Sequence, residues 1–288
     1  MNYITFSISE SKIINDTQLN GLNKKKILSS LIPGNISTYV YNTEKEYYEE
    51  YQQSYFALTT KKAGWDCLRH YEILANGCIP YFPLINECPI NTLSLFPKDL
   101  IKEGNILYEK SKLYGLDINE YNILRNKMLD YTKEHLTTQK MAEYILNKIN
   151  MKPKKILFLS GDLNPDYLRC LTLEGFKLLM GELCHDYPKI KHIYKNNIPN
   201  LYGKGFTYSN LLDNSLHNDE YDKTIIDDIN NKNYDLIIYG SYHRGMPYYE
   251  LVSKTYKPNE VVLLCGEDIH KCDNQWIQKG HYVFMREG

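Results

Sequence analysis

The chain has 288 residues, which is enough for two domains of ordinary size, each with its own core. Its hydrophobic fraction of 43% and charged fraction of 24% are typical of a soluble globular protein. The formal net charge of -1 provides no broad positive field, so the composition argues against nucleic acid as a partner.

Cysteine usage and the N-terminal sequence bear on the compartment. The seven cysteines form no C-x-x-C pair, are odd in number and mostly lie in apolar runs, where thiols pack as small hydrophobes. The N-terminus has no basic region followed by an apolar run, and no segment approaches about 18 consecutive apolar residues. We therefore expect a cytoplasmic protein with neither a cleaved signal nor a membrane span.

Residues 1–150 show apolar strand patterns that alternate with helical ones. The predicted elements are a strand at residues 3–8, a weaker strand pattern at 37–41, a helix at 43–53 capped by Thr43, a strand at 55–60, a helix at 65–76 that ends at Gly77, a strand at 78–82, a short helix near Asn91 and a long helix at 118–149.

A short basic break at residues 151–155 separates the two halves, and the strand and helix pattern then restarts. The predicted elements of residues 151–288 are strands at 156–159, 190–194, 235–239 and 261–264, and helices at 166–180, 219–230 and 247–256. Apolar strands separated by helices indicate parallel sheets covered on both faces. We therefore predict an α/β protein with two Rossmann-like domains, residues 1–150 and 151–288.

The segment 55–83 contains the pattern most informative about function. A strand, a basic loop and a helix place a helix N-terminus at the carboxyl end of a strand, where α/β sheets bind phosphorylated ligands. Lys61, Lys62, the Gly64 backbone and Arg69 could neutralise a diphosphate, while Glu72, one turn deeper, could accept hydrogen bonds from two ribose hydroxyls. The local prediction is a nucleotide-phosphate site.

The same segment resembles the donor-binding region of GT-B glycosyltransferases, and more closely that of the exostosin-like group. The shared pattern is R-x-x-E at Arg69 and Glu72, followed by G-C-I-P at residues 77–80. The resemblance implies that Glu72 holds the ribose, and Arg69 the phosphates, of a nucleotide sugar. A looser similarity to glycosyltransferase-like proteins of large DNA viruses assigns no residue roles.

Other interpretations of this segment remain open. Arg69 and Glu72 are three residues apart, so they could form an ordinary surface ion pair. Trp65 could stack on a base or sugar or belong to the core, and Asp66 could be a favourable first-turn acid. His70 is expected on the helix surface.

The second half would supply the acceptor side and the base of such an enzyme. Its candidates are Asp162, His243 and Asp268, which follow predicted strands at the edge where α/β proteins place their chemistry. A loop histidine is often only solvated, and the two aspartates could instead cap helices or bind an acceptor hydroxyl. GT-B chains usually place the acceptor domain first, so either the order is permuted here or the halves belong to different modules.

The sequence lacks common metal and hydrolase motifs. It has no H-E-x-x-H, no Asp-X-Asp, no cysteine and histidine cluster with ligand spacing and no G-x-S-x-G. Residues 203–205, Gly-Lys-Gly, lack the P-loop ending and are interpreted as a turn.

These patterns favour a metal-independent glycosyltransferase with no cofactor, whose partners are a nucleotide-sugar donor and a glycan or other hydroxyl acceptor. One alternative is a non-catalytic module that binds a nucleotide or glycan, or a portion of a longer glycosyltransferase. A third is a pair of independent Rossmann-like domains in another nucleotide-using enzyme, although the chain has no G-x-G-x-x-G.

Overall fold

A computed structural model describes residues 1–196, 200–268 and 274–288 and contains two parallel sheets. The strands, numbered in chain order, are β1 (Asn2–Tyr3), β2 (Lys26–Leu28), β3 (Ser54–Leu58), β4 (Ile79–Tyr81), β5 (Ile156–Leu159), β6 (Cys184–Tyr187), β7 (Leu236–Tyr239), β8 (Val261–Cys265) and β9 (Tyr282–Met285). The large sheet has the order β1-β9-β8-β7-β5-β6 and the small sheet the order β2-β3-β4. The predicted α/β class with mainly parallel sheets is confirmed.

The α-helices flank these sheets. They are α1 (Asp16–Asn20), α2 (Glu44–Gln52), α3 (Leu68–Ala75), α4 (Lys98–Tyr114), α5 (Ile118–His135), α6 (Thr138–Ile149), α7 (Tyr167–Met180), α8 (Asp219–Asn230), α9 (Tyr249–Thr255) and α10 (Asn274–Gln278). Within the described ranges, no helix combines the length and the apolar character that crossing a bilayer requires.

Alternation along the central strand β5 explains why helices cover both faces of the large sheet. Successive side chains of a strand point to opposite faces. Ile156 and Phe158 belong to the core that includes α6 and α7, whereas Leu157 and Leu159 belong to the core that includes α8 and α9. All four side chains are fully buried.

The two halves of the chain share a sheet and a core. The N-terminal strand β1 pairs with β9, with Asn2 opposite Phe284 and Tyr3 opposite Met285. α6 packs so closely on α7 that a Cβ on Gly175 would overlap the carbonyl group of Thr138. The basic break at 151–155 therefore lies between α6 and β5, while the large sheet takes strands from both sides of it.

Capping and turn residues in the sequence predicted several elements correctly. Thr43 caps α2 through a capping box with Glu46, and Gly77 ends α3 in the left-handed region, at φ +62°. α8 spans the predicted residues, and Tyr202–Gly205 forms the predicted turn as a short 3-10 helix.

Other elements differ from the prediction. The pattern at 37–41 is a 3-10 turn at Ile36–Thr38, the strand at 190–194 is replaced by β6, and the helix near Asn91 is absent while α4 follows it. The first strand is shortened to β1. The long helix at 118–149 is two helices, because Thr137 caps α6 and the Ile8 N–H bonds the carbonyl of Leu136 at the break.

Candidate functional site

The loop after β3 carries the basic residues of the predicted phosphate site. Lys61 and Lys62 are exposed there, and Lys61 Nζ lies 4.8 Å from the centre of the Trp65 ring. α3 begins at Leu68, three residues later than predicted, so Trp65 precedes the helix and packs on Phe82. Trp65 is half-buried, and the Lys61 ammonium group lies over its ring.

Gly64 lies where the loop meets the C-terminal strand of the large sheet. A Cβ at this position would overlap the carboxylate of Glu287, which follows β9. Glu287 Oε1 also accepts a hydrogen bond of 2.9 Å from the Asp66 N–H. The carboxyl ends of β3 and β9 therefore meet at this loop.

Asp66 is a buried contact residue between the halves. Its carboxylate accepts hydrogen bonds of 2.7 Å from the Phe6 N–H and 2.9 Å from the Tyr71 hydroxyl, and its carbonyl accepts 2.7 Å from Arg286 Nη1. Burial raises the pKa of Asp66 to about 7, although the nearby Arg286 acts against this shift.

His70 occupies the core rather than the helix surface expected for it. It is fully buried, with Nδ1 2.7 Å from Thr59 Oγ1 and Nε2 2.8 Å from the Trp65 carbonyl. Burial lowers the pKa of His70 to about 3, so the ring is neutral near pH 7. Its role is to join the loop to α3.

Arg69 faces a group of aromatic hydroxyls that we call the tyrosine cluster: Tyr39, Tyr47, Tyr48 and Tyr51. Arg69 Nη2 donates a hydrogen bond of 2.7 Å to the Tyr39 hydroxyl. Arg69 Nε and Nη1 are buried and have no hydrogen-bond partner within the described residues. A buried guanidinium with unused donors is unusual, because each unpaired polar group carries a desolvation cost.

Glu72 is buried at the other side of the tyrosine cluster. Its Oε2 accepts a hydrogen bond from the Tyr47 hydroxyl and its Oε1 accepts one from Thr207, both at 2.6 Å. Burial raises the pKa of Glu72, while these hydroxyls and the charge of Arg69 oppose the rise. The surface ion pair that was the simplest alternative is not formed, since no ion pair in the described structure joins Arg69 to Glu72.

The contact to Glu72 comes from a loop of the second half that docks on α2. Thr207 N–H donates to Glu44 Oε1 at 2.6 Å, and Lys204 Nζ donates to the Tyr41 carbonyl at 2.6 Å. Thr207 has φ +73°, which is strained for a β-branched residue. The loop therefore holds a hydroxyl on Glu72 in a conformation that costs energy.

Asp162 lies in an arginine and aspartate network beside α7. Arg244 Nη1 lies 3.4 Å from Asp162 Oδ2, and Arg244 Nε donates 2.7 Å to Asp166, the cap of α7. Burial acts to raise the pKa of Asp162, but the Asn164 N–H and the arginines lower it overall.

The residue after Asp166 lies near Phe6 and Glu72 of the first half. Tyr167 packs on Phe6, and the Glu72 charge contributes, after burial, to the raised pKa of its phenol. The start of α7 therefore lies close to the first half of the chain.

His243 follows β7 in a 3-10 turn, Tyr242–Arg244. Its Nδ1 is buried and makes no hydrogen bond to any described residue. Burial lowers the pKa of His243, with Asp166 and Glu267 acting in the opposite direction. The ring is thus neutral near pH 7 and able to accept a proton.

Asp268 follows β8 and pairs with the guanidinium of Arg286, which also donates to the Gly266 carbonyl at 2.9 Å. Its backbone carbonyl lies against Gly64. The structure therefore places Asp268 next to the loop after β3, where its carboxylate is the partner of an arginine.

Several residues of this region carry no local signal in the sequence: Thr207, Arg286, Glu287 and the tyrosine cluster. Thr207 is 135 residues from Glu72 along the chain. The Glu and Tyr pattern of α2 predicts a helix, but it does not predict which groups the tyrosine hydroxyls contact. Metal-ligating side chains converge elsewhere, at His185, His217 and Asp222.

A separate groove of about 470 Å³ lies between α5 and α6, lined by residues such as Tyr131, Glu143 and Tyr144. It includes none of the predicted site residues. Of the predicted residues, Arg69 and Glu72 lie at the tyrosine cluster, whereas Asp162, His243 and Asp268 follow β5, β7 and β8 of the large sheet. Protein-family models, curated proteins and solved structures all give no match to this chain.

Proposed function

We propose that the chain binds a nucleoside diphosphate sugar at Arg69 and Glu72, in a nucleotide crevice between the two sheets, and transfers the sugar to an acceptor hydroxyl without a metal ion. The observation that carries the proposal is Arg69, whose Nε and Nη1 are buried with no partner among the described residues. An oxyanion is the natural partner for unused guanidinium donors, and phosphate oxygens form strong charge-assisted hydrogen bonds with them. Lys61 and Lys62 supply further positive charge on the loop that precedes α3.

The surroundings of Glu72 support a ribose subsite. Its two carboxylate oxygens each accept one hydroxyl, from Tyr47 and Thr207, at 2.6 Å. A vicinal diol offers the same pair of donors to a carboxylate. In the proposal, the ribose hydroxyls replace these two hydroxyls, and displacement of Thr207 relieves its strained backbone.

The transfer step follows from the charges in the crevice. The bond between the sugar carbon and the diphosphate oxygen breaks while the acceptor oxygen bonds to that carbon, and the cations of the loop stabilise the departing diphosphate. His243 takes the acceptor proton, because its ring is neutral and its Nδ1 has no partner in the described structure. Asp162 and Asp268 are paired with arginines, so we assign them to positioning.

The arrangement of the two halves supports a GT-B-like enzyme of permuted order. Gly64 and Asp66, after β3, contact Glu287 and Arg286, after β9. The loop that precedes α3 thus lies against the half that carries the candidate base, which supports a transfer between the two halves. A reducing, cytoplasmic location is part of the same proposal.

A non-catalytic nucleotide- or glycan-binding module is the second candidate, and a portion of a longer glycosyltransferase would have the same site. The observation that favours binding alone is that Asp162 and Asp268 are both held in ion pairs. Saturable donor binding without release of nucleoside diphosphate would identify such a module.

Calorimetric titration with a panel of nucleotide sugars tests the proposal. We expect one donor to bind the wild type, and Arg69→Met to bind it about 10- to 100-fold more weakly, since a charged hydrogen bond contributes about 1.5–3 kcal/mol. Glu72→Gln should lower the affinity for nucleosides that have both ribose hydroxyls more than the affinity for their deoxy forms.

Arg125→Met is the matched control, because Arg125 contacts the neighbouring Asn126 at the surface. Equal donor affinity in wild type, Arg69→Met and Arg125→Met would remove the site assignment. If binding is confirmed, donor turnover by the wild type and by His243→Gln is compared. Turnover that the variant loses identifies an enzyme that uses this base, whereas a binding module shows no turnover in either protein.

A further inference from the structure

Three metal-ligating side chains meet at the β6 edge of the large sheet. His185 lies in β6, His217 just before α8 and Asp222 in the first turns of α8. One ligand atom from each lies within 4.8 Å of the other two. The group, which we call the histidine cluster, shares no residue with the nucleotide crevice.

The two histidines are buried, and three of their four ring nitrogens have no hydrogen-bond partner among the described residues. His185 is 1% exposed and His217 is 7% exposed, with its side chain fully covered. Both ring nitrogens of His185, Nε2 of His217 and Oδ1 of Asp222 lack a hydrogen-bond partner in the described part of the chain. Four unpaired polar atoms in one place require an explanation, because buried polar groups are nearly always paired.

The geometry of the contacts to Asp222 is not that of hydrogen bonds, so a shared proton does not account for them. Asp222 Oδ1 lies 2.9 Å from His185 Nε2, and Asp222 Oδ2 lies 3.4 Å from His217 Nε2, yet neither contact has hydrogen-bond geometry. Ligand atoms around a tetrahedral zinc ion are roughly 3.3 Å apart. Each imidazole nitrogen directs its lone pair at the metal and not at the neighbouring ligand atom.

A second layer of contacts orients His217. Its Nδ1 lies 2.9 Å from Asp186 Oδ1, and this carboxylate also contacts Lys177 Nζ at 2.8 Å and the Tyr194 hydroxyl at 2.7 Å. When Nδ1–H donates to the carboxylate, the Nε2 lone pair faces the cluster. A carboxylate behind a histidine is the usual support of a metal-bound imidazole.

We propose that His185, His217 and Asp222 bind a divalent cation of the zinc type. Two imidazole nitrogens and one carboxylate oxygen suit zinc, and the fourth position falls to water or to the exposed Asp219, whose Oδ1 lies 3.4 Å from His217 Nε2. The ion ties β6 to the start of α8 and closes the connection that carries Thr207. Sequence spacing could not reveal it, because the ligands come from separate elements.

Titration of the chelator-stripped full chain with zinc chloride, followed by calorimetry, tests the site. We expect one equivalent to bind and the melting temperature to rise with zinc. Asp222→Ala should lower the affinity at least roughly 100-fold and abolish the thermal shift. Asp222 is partly exposed, so its loss should leave the fold intact.

Asp227→Ala removes an exposed carboxylate from the same helix and should bind zinc like the wild type. Substitution with Co²⁺ should give the visible absorption of a tetrahedral site in wild type and Asp227→Ala. Failure of the wild type to bind zinc, or equal binding by Asp222→Ala, would overturn the proposal.

Discussion

Asp66 is the residue whose environment differs most from the one its sequence position indicates. A first-turn acid would be solvated, but Asp66 is 2% exposed and contacts Phe6, Tyr71 and Arg286. Its pKa is raised to about 7, mainly by burial. The folded protein therefore holds this proton at a pH where the unfolded chain has lost it.

Asp66→Asn should make stability less dependent on pH. Because the folded pKa lies above the unfolded value, the stabilisation from Asp66 is complete below about pH 4 and is lost as the pH rises toward 7. Relative to the variant, the wild-type free energy of unfolding should fall by up to about 1.4 kcal/mol per pH unit in that window. Urea unfolding at several pH values measures this difference, and parallel curves for the two proteins would contradict it.

At the residue scale, the sequence predicted that Arg69 and Glu72 lie close together, but not which groups they contact. Arg69 and Glu72 lie one turn apart on α3, so their proximity follows from helical spacing. Their partners, Tyr39 and Thr207, come from distant segments whose contacts depend on tertiary packing. The burial of His70 was missed because a single polar residue on a short helix carries no reliable signal of its face.

At the scale of elements, Phe206 and Thr207 in the connection between β6 and α8 pack over Glu72 and the tyrosine cluster. Thr207 bonds both Glu72 and the Tyr48 hydroxyl, each at 2.6 Å, and Phe206 stacks on Tyr47. A ligand that reaches Glu72 must displace this contact. The energy of the displaced hydrogen bond then subtracts from the ligand's affinity.

Thr207→Ala should therefore raise the affinity for the nucleotide about fivefold, because one net hydrogen bond contributes about 1 kcal/mol. Thr207→Ser, which keeps the hydroxyl, should bind like the wild type. Calorimetry with the donor found in the panel gives both values. Unchanged affinity in Thr207→Ala would mean that the ribose does not meet Glu72.

Elements with strong local signals were predictable, and those with mixed signals were not. The apolar run of β8 and the capped helix α2 follow from composition and the Thr43 capping box. β6 was missed because His185 and Asp186 interrupt its apolar pattern. Their burial also accounts for the unexpected polar chemistry at that edge.

At the scale of the whole molecule, the halves are joined by buried charge as well as by a shared core. Arg286 is fully buried, lies 2.9 Å from Glu287 and 2.7 Å from the Asp66 carbonyl, and covers the Phe6 ring at 4.4 Å. One hydrophobic cluster contains both Phe56 of the small sheet and Phe158 of the large sheet. Neither half is packed independently.

Scanning calorimetry should consequently show one cooperative transition for the intact chain, since the shared core couples the halves. Arg286→Met should destabilise it by about 3–5 kcal/mol, because the substitution removes the ion-pair partner of the buried Glu287 carboxylate. Arg125→Met, at the surface, should unfold like the wild type. Two separate wild-type transitions would contradict this coupling.

The parallel α/β architecture was predictable from the alternation of apolar strands and helices, but the assembly of the halves was not. β1 joins β9 across almost the full length of the chain, and only two residue pairs form that ladder. A pairing that short and that distant leaves no periodic signal. Thr207, Arg286 and Glu287 were not predictable either, because their contacts with the first half depend on tertiary packing.

The most direct measurement is a crystal structure of the chain with the nucleoside diphosphate of its preferred donor. We predict that phosphate oxygens lie within hydrogen-bond distance of Arg69 Nε or Nη1, and that the ribose hydroxyls replace Thr207 on Glu72. A nucleotide bound elsewhere, with the Arg69 donors still unused and Thr207 still on Glu72, would contradict the account.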